Sequence, residues 1–164
     1  MTRRLFLQLT RALGTVFVAA AVAPPLVFWW RSARQAASSG ESWIDLGVAR
    51  KIPQGEWLTR RFSLERQNRW RNEVVEELVY VHRVERQITV LSAVCPHARC
   101  LVSLREGGFS CRCHRSSFDG DGRVLDGPSP RPLDALEWKV RKGHLLVRYQ
   151  QFRPGVARSE ALRT

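Results

Sequence analysis

No internal repeat runs through this chain of 164 residues, and no glycine period marks it as a fibre. No second long charge-free stretch follows the one that ends at Trp30. These absences exclude a repeat array, a collagen-like molecule and a polytopic membrane protein. Wholesale disorder is excluded as well, because 44% hydrophobic and 26% charged residues lie near globular averages. The length permits one domain of ordinary size with an appendage. Acidic side chains are scarce, 15 against 27 Lys and Arg, which leaves a net charge of +12. Residues 1–40 have no acid and five Arg, and the last 14 residues have three Arg and one Glu. The middle, residues 41–150, holds 19 bases and 14 acids of mixed sign, as a solvated face does. Seven of the twelve excess charges therefore sit at the ends, and the remaining five are spread through a middle of mixed sign, which argues against a nucleic-acid partner.

The N-terminus reads as an address and an anchor. Thr2-Arg3-Arg4-Leu5-Phe6-Leu7-Gln8 places a paired arginine before an apolar run, which resembles a twin-arginine export signal. Such signals carry proteins that fold, often around a cofactor, before they cross the membrane. Ala12 to Trp30 is a stretch of 19 residues without charge, bounded by Arg11 and Arg31. As a helix it reaches about 28 Å at 1.5 Å per residue, close to the roughly 30 Å of a bilayer core. Trp29 and Trp30 before Arg31 match an interfacial belt, and Pro24 after Ala23 disfavours cleavage there. The expectation is an uncleaved single span, kinked at Pro24-Pro25, with the body exported. Residues 35–42, small and polar, read as a neck.

The body lacks any long period of 3.6 residues. Apolar residues come instead in short β-branched and aromatic runs: Val74-Val75, Leu78 to Val81, Ile88 to Leu91, Phe109 to Cys113 and Leu145 to Tyr149. Turn signals separate them at Gly107-Gly108, Asp119 to Gly122 and Lys142-Gly143. This cadence predicts an all-β fold, a small antiparallel domain. A helical turn over Glu73 to Glu77 is the one competing local reading. Residues 43–76 are otherwise undiagnostic.

Cysteine is missing everywhere except between residues 95 and 113. Two of the four His lie in or beside the same window, in Cys95-Pro96-His97-Ala98-Arg99-Cys100 and Cys111-Arg112-Cys113-His114. In an exported chain such a cluster has three readings: structural disulfides, a zinc site or an iron–sulfur site. Disulfides alone leave the two His unexplained, and zinc leaves two Cys unexplained. His82 and His144 stand on strand-like or turn segments and read as structural or surface residues without partners.

The pattern Cys-x-His…Cys-x-Cys-His resembles the Rieske family, whose [2Fe–2S] cluster is bound by two Cys on one iron and two His on the other. By motif position the resemblance implies Cys95 and Cys111 as thiolate ligands and His97 and His114 as imidazole ligands. It implies a disulfide between Cys100 and Cys113, a pair that ferredoxin and dioxygenase members usually lack. Ser116-Ser117-Phe118-Asp119 matches the family's Ser-x-Tyr/Phe-Asp, with Ser116 as hydrogen-bond donor to a cluster sulfur. Gly127 to Leu133 resembles its proline-rich loop. Phe118 stands where many high-potential members have Tyr, and Pro96, Ala98 and Arg99 stand where Thr, Leu and Gly are frequent. Arg112 and Arg115 replace Pro and Gly. Three arginines near the cluster point to an acidic docking partner.

The resemblance implies a chemistry. Neutral imidazoles in place of two thiolates remove negative charge and raise the potential into a range of about −150 to +300 mV. The second ring nitrogen of His97 or His114 is left to accept a proton. The implied function is electron transfer from quinol (menaquinol or ubiquinol) to a c-type cytochrome. The chain would serve as the iron–sulfur subunit of a bacterial quinol–cytochrome c reductase, beside cytochrome b. A small subunit of a periplasmic molybdenum oxidase, a stand-alone anchored carrier and a zinc-stapled module are the rivals. The expected organisation is a signal and anchor over 1–34, a neck over 35–42, a Rieske domain over 43–150 and a basic tail over 151–164. The domain is placed on the outer side of the bacterial inner membrane.

Overall fold

The computed structural model describes residues 23–31, 43–68 and 71–162. Compact units divide between Ser42 and Trp43. In the first unit residues 23–31 are helical, with Leu26, Phe28, Trp29 and Trp30 exposed. No helix among the described residues is long and apolar enough to cross a membrane. Most of the expected span, the paired arginine and the whole neck lie outside the described residues.

The second unit is built from ten strands: β1 (Trp43–Val48), β2 (Trp57–Asn68), β3 (Arg71–Val84), β4 (Gln87–Ser92), β5 (Val102–Arg105), β6 (Gly108–Cys111), β7 (Ser117–Asp119), β8 (Val124–Asp126), β9 (Glu137–Arg141) and β10 (His144–Arg148). They form three antiparallel sheets, ordered β1-β10-β9, β2-β3-β4 and β5-β6-β7-β8. The all-β expectation therefore holds for this unit. Gly47, at φ +98°, occupies the irregularity where β1 shifts register between Asp45 and Val48.

The middle sheet serves two cores because side chains on a strand alternate between its faces. Val79 and Val81 of β3 and Val90 of β4 point to one side, where they meet Leu46, Leu136, Leu145 and Val147. Tyr80 and Leu91 point to the other side and meet Ala93, Val102, Phe109, Phe118 and Leu133, together with Cys95 and Cys111. Burial on both faces explains the unbroken apolar run Leu78 to Val81. Each such fully buried side chain contributes roughly 1.5–3 kcal/mol. The second core is the one that carries the two buried cysteines, so the packing that stabilises the domain also positions the site.

Two local expectations change. Glu73 to Glu77 is extended, not helical: Val74 pairs with Glu65 and Glu77 with Phe62 across β2. Glu77 also takes an ion pair from Arg66 at 2.9 Å. The second change is β2 itself, which pairs with β3 through twelve registers. Its alternation, Leu58, Phe62 and Leu64 facing the first core with exposed Arg61 and Ser63 between, is that of a half-buried strand. His82 and His144 do have partners. His82 stacks on Trp57 with centroids 4.8 Å apart, and His144 Nδ1 lies 2.8 Å from Asp45 Oδ2.

Candidate metal centre

Two loops of the third sheet's end are closed in the same way. In the first, Cys95 N–H donates to the Cys100 carbonyl at 2.8 Å, pinched by a bridge between Val94 and Leu101. In the second, Cys111 N–H donates to the Ser116 carbonyl at 2.8 Å. Each loop has a left-handed residue four positions after its first cysteine: Arg99 at φ +62° and Arg115 at φ +59°. Glycine is the residue that adopts this conformation without cost. These are the two positions at which the family resemblance expects glycine, so the turn geometry survives the substitution at a local cost of about 1–2 kcal/mol each.

Within this frame the six residues singled out by sequence come together. Cys95 and Cys111 are buried, reduced thiols. The rings of His97 and His114 meet edge to face, with centroids 4.7 Å apart. His114 is exposed and His97 half-buried. Cys100 and Cys113 are joined in a disulfide, with Cα atoms 6.4 Å apart, that ties the first loop to the second. The sulfurs of Cys100, Cys111 and Cys113 lie within 4.8 Å of one another. A disulfide sulfur bears no thiolate charge, so of these three only Cys111 remains a metal ligand of the usual kind.

The donor set fits a metal group on two further observations. His97 Nδ1 is buried without a hydrogen-bond partner, an arrangement that costs free energy unless something at that nitrogen accepts or coordinates. Burial, and then the neighbouring Cys111 thiol, push the Cys95 thiol above its ordinary pKa, while the N–H groups of His97 and Ala98 pull the other way. A cation in the pocket would reverse this balance and hold both sulfurs as thiolates.

The third loop, residues 127–133, is locked to the second. Gly127 has φ +96°, and a Cβ placed on it would sit 2.6 Å from Ser116 Cα and 2.8 Å from the Arg115 carbonyl oxygen. Ser116 is fully buried, and its Oγ accepts the Ser129 N–H at 3.1 Å. Its hydroxyl proton is left to be donated elsewhere.

Sequence reasoning left the C-terminal residues without a role, and the structure supplies one. Phe152 bridges to Ala161, closing residues 151–162 into a hairpin. Gly155 N–H donates to the Pro96 carbonyl at 2.8 Å, beside His97. Arg131, only 5% exposed, forms a two-pronged ion pair with buried Asp134, through Nε and Nη2 at 2.9 and 2.8 Å. Arg131 also donates to the Val156 carbonyl at 2.6 Å, and the Ser159 hydroxyl donates to Asp134. The contacts make a ring: first loop to second by the disulfide, second to third at Gly127 and Ser129, third to C-terminal hairpin at Arg131, and hairpin back to the first loop at Gly155. Nothing in the residue types of 151–162 signals this, because the key contacts are made by backbone groups.

The family model for the Rieske [2Fe-2S] domain matches residues 42–140. The chain belongs to the Rieske family. Its cofactor is a Rieske-type [2Fe–2S] cluster, and its work is electron transfer. Among relatives, the cytochrome b6-f complex iron-sulfur subunit of Chlorobaculum tepidum is 26% identical over 148 residues, covering 88% of this chain and 74% of that protein. The corresponding subunit of Synechococcus sp. (strain JA-2-3B'a(2-13)) is 44% identical over 52 residues, 30% of each chain. The crystal structure of the cyanobacterial plasma membrane Rieske protein PetC3 from Synechocystis PCC 6803 is 24% identical, with a TM-score of 0.42 over 65% of this chain and 99% of that one.

The cross-link has a measurable role in this Rieske domain. Its cysteines are 13 positions apart, and closing a loop of that size is worth about 3 kcal/mol by chain entropy. The double variant Cys100→Ser/Cys113→Ser is expected to lose stability of that order in denaturant titration while still taking up iron. Unchanged stability would show that the hydrogen-bonded ring alone holds the loops.

Proposed function

We propose that the chain is the iron–sulfur subunit of a bacterial quinol–cytochrome c reductase of the cytochrome bc or b6-f type. In this reading Cys95 and Cys111 hold one iron, and His97 and His114 hold the other. When bound, the cluster supplies a one-electron acceptor of raised potential. The chain's own residues do the rest. Exposed His114 offers its outer ring nitrogen to the quinol hydroxyl as hydrogen-bond and proton acceptor, and His97 packs against it in the same tip. The partners in this reading are cytochrome b and a c-type cytochrome. The observation that carries the reading is the pairing of the exposed imidazole tip with the Cys100–Cys113 disulfide. The names borne by the relatives support it.

Residues 1–34 are the twin-arginine leader, retained as a single membrane anchor. Residues 35–42 are the neck, 43–150 the cluster domain and 151–164 the tail. The domain lies on the outer face of the inner membrane. Purification of the full chain from native membranes tests the assignment: b-type and c-type haem should follow it in stoichiometric amount. A molybdenum enzyme in their place would overturn it.

The residues around the site also set the potential. Ser116 is buried beside the second loop, and a hydroxyl that donates to a cluster sulfur stabilises the reduced form. Phe118, 2% exposed, has no such hydroxyl. Ser116→Ala is expected to lower the midpoint, and Phe118→Tyr to raise it, each by some tens of millivolts, on a scale where 59 mV is tenfold for one electron. Potentiometric titration reads both, and a shift of the wrong sign in either variant removes the hydrogen-bond explanation.

A further inference from the structure

Five arginines of the domain sit against acids. Arg66 meets Glu77, Arg123 meets Asp121, Arg131 meets Asp134, Arg148 meets Glu137 and Arg153 meets Glu160. One concave region gathers cations without an acid in its lining. A cavity of about 660 Å³ opens between the turn after β1, the β3–β4 turn and the β9–β10 turn. Arg50, Arg83, Arg86 and Lys142 all line it, and no acidic residue does. His144 completes the rim but is engaged by Asp45 at 2.8 Å.

The cations are placed rather than scattered. The Arg83 guanidinium is held by two carbonyls, Nε to Glu85 at 3.1 Å and Nη1 to Ala49 at 3.3 Å. Those bonds fix its direction and leave its charge uncompensated. Lys142 sits at φ +51° in the β9–β10 turn, next to Gly143 at φ +80°, and the Gly143 carbonyl is tied to Ala49 N–H at 2.9 Å. Two of the turns are thereby fastened to each other. Four like charges around one hollow repel, and the arrangement is relieved by an anion between them. The lining also has an apolar part: Val48 and Ile88, with Val140 48% exposed. A bare inorganic ion would leave that surface wet.

We propose that this cavity is a binding site for a phosphate group carried on a small apolar body. Guanidinium groups match phosphate oxygens in number and geometry, and the apolar wall receives the carbon skeleton. The volume is that of a small-molecule site. The site is distinct from the cluster loops: its lining ends at Ile88 on β4, a strand that runs from Gln87 to Ser92, short of Cys95.

Calorimetric titration of the full holo-chain, in non-ionic detergent at low ionic strength, tests this with three probes. They are inorganic phosphate, dihexanoyl phosphatidic acid below its micelle concentration, and dihexanoyl glycerol, which has the same body without phosphate. The expected result is saturable binding of the phosphatidic acid, one per chain, and none of the glycerol. Inorganic phosphate is expected to bind at least tenfold more weakly; binding within tenfold would show that the apolar wall receives nothing and would overturn the apolar body. Arg50→Gln/Arg86→Gln, both exposed, should weaken binding at least tenfold, and Lys142→Asn, which tolerates the left-handed backbone, should weaken it severalfold on its own. Arg61→Gln/Arg71→Gln, an equal charge change on the β2–β3 hairpin, should leave it unaltered. Equal binding of the uncharged glycerol, no binding of either phosphate probe, or equal loss in the hairpin control overturns the proposal.

Discussion

Cys111→Ser is expected to abolish iron uptake: close to two irons per chain before the change, and close to none after it. The thiol is 2% exposed, in the core of Tyr80, Phe109, Phe118 and Leu133. Its partner there is Cys95, whose thiol burial already disfavours as an anion. In such a dry place only a bond to metal makes two adjacent thiolates tolerable. Serine keeps the shape and the backbone bond from residue 111 to Ser116, but its hydroxyl does not ionise at neutral pH and is a poor ligand for iron in a sulfur site. The fold is therefore expected to persist, with the strand pairing of β5, β6 and β7 unchanged by circular dichroism. Iron analysis and low-temperature electron paramagnetic resonance of the reduced protein decide the matter. A variant that retains its iron would show that the second loop binds through some other atom. The contrast with Cys100→Ser/Cys113→Ser, expected to keep iron and lose only stability, separates ligand from cross-link in one experiment.

Asp134→Ala is the change expected to cost the fold most, about 3–5 kcal/mol, because it strands a buried guanidinium without its counter-ion. Asp134 and Arg131 each have only 4% of the side chain exposed. Asp134 also takes the Ser159 hydroxyl, and Arg131 holds the Val156 carbonyl. Removing the carboxylate thus unfastens the C-terminal hairpin from the third loop. Protection of the Gly155 amide, which donates to Pro96, should fall with it in hydrogen exchange. Asp134→Asn keeps an acceptor and should lose less. Arg131→Met/Asp134→Leu, which removes both charges, should lose less than Asp134→Ala alone. A cost under about 1 kcal/mol for Asp134→Ala would mean that water reaches Arg131 and that the ring of contacts is not closed there.

The site and the fold were legible to different degrees. The candidate ligands stood out because metal chemistry restricts residue types: few side chains bind iron, and Cys-x-His with Cys-x-Cys-His puts the candidates in two short loops, which the structure brings together. The strands at Ile88 to Leu91 and Leu145 to Tyr149 were readable because β-branched and other apolar residues concentrate there, the second directly after the Lys142-Gly143 turn. The start of β3 was less clear, since Glu73 to Glu77 has a mixed pattern that suits a helical turn equally well; pairing with β2, far better satisfied than an isolated turn, decides it. β2 is hard to read from sequence because Thr59, Arg61, Ser63 and Glu65 make its outward face polar, although Leu58, Phe62 and Leu64 carry the alternation. The partners of His82 and His144 are 25 and 99 positions away, beyond the reach of any local pattern.

The sequence by itself determined the chemistry of this protein: a mixed sulfur and nitrogen donor set, on loops of an all-β domain. That is local information, since coordination depends on which atoms stand a few residues apart. Tertiary structure alone decided how the loops are held and what else the surface offers. The Gly155 amide meets Pro96, Arg131 meets Val156, and Arg50, Arg83, Arg86 and Lys142 converge on one hollow. Backbone groups are the same in every residue and distant charges carry no mutual spacing, so such meetings leave no trace in the order of amino acids and exist only once the sheets have packed.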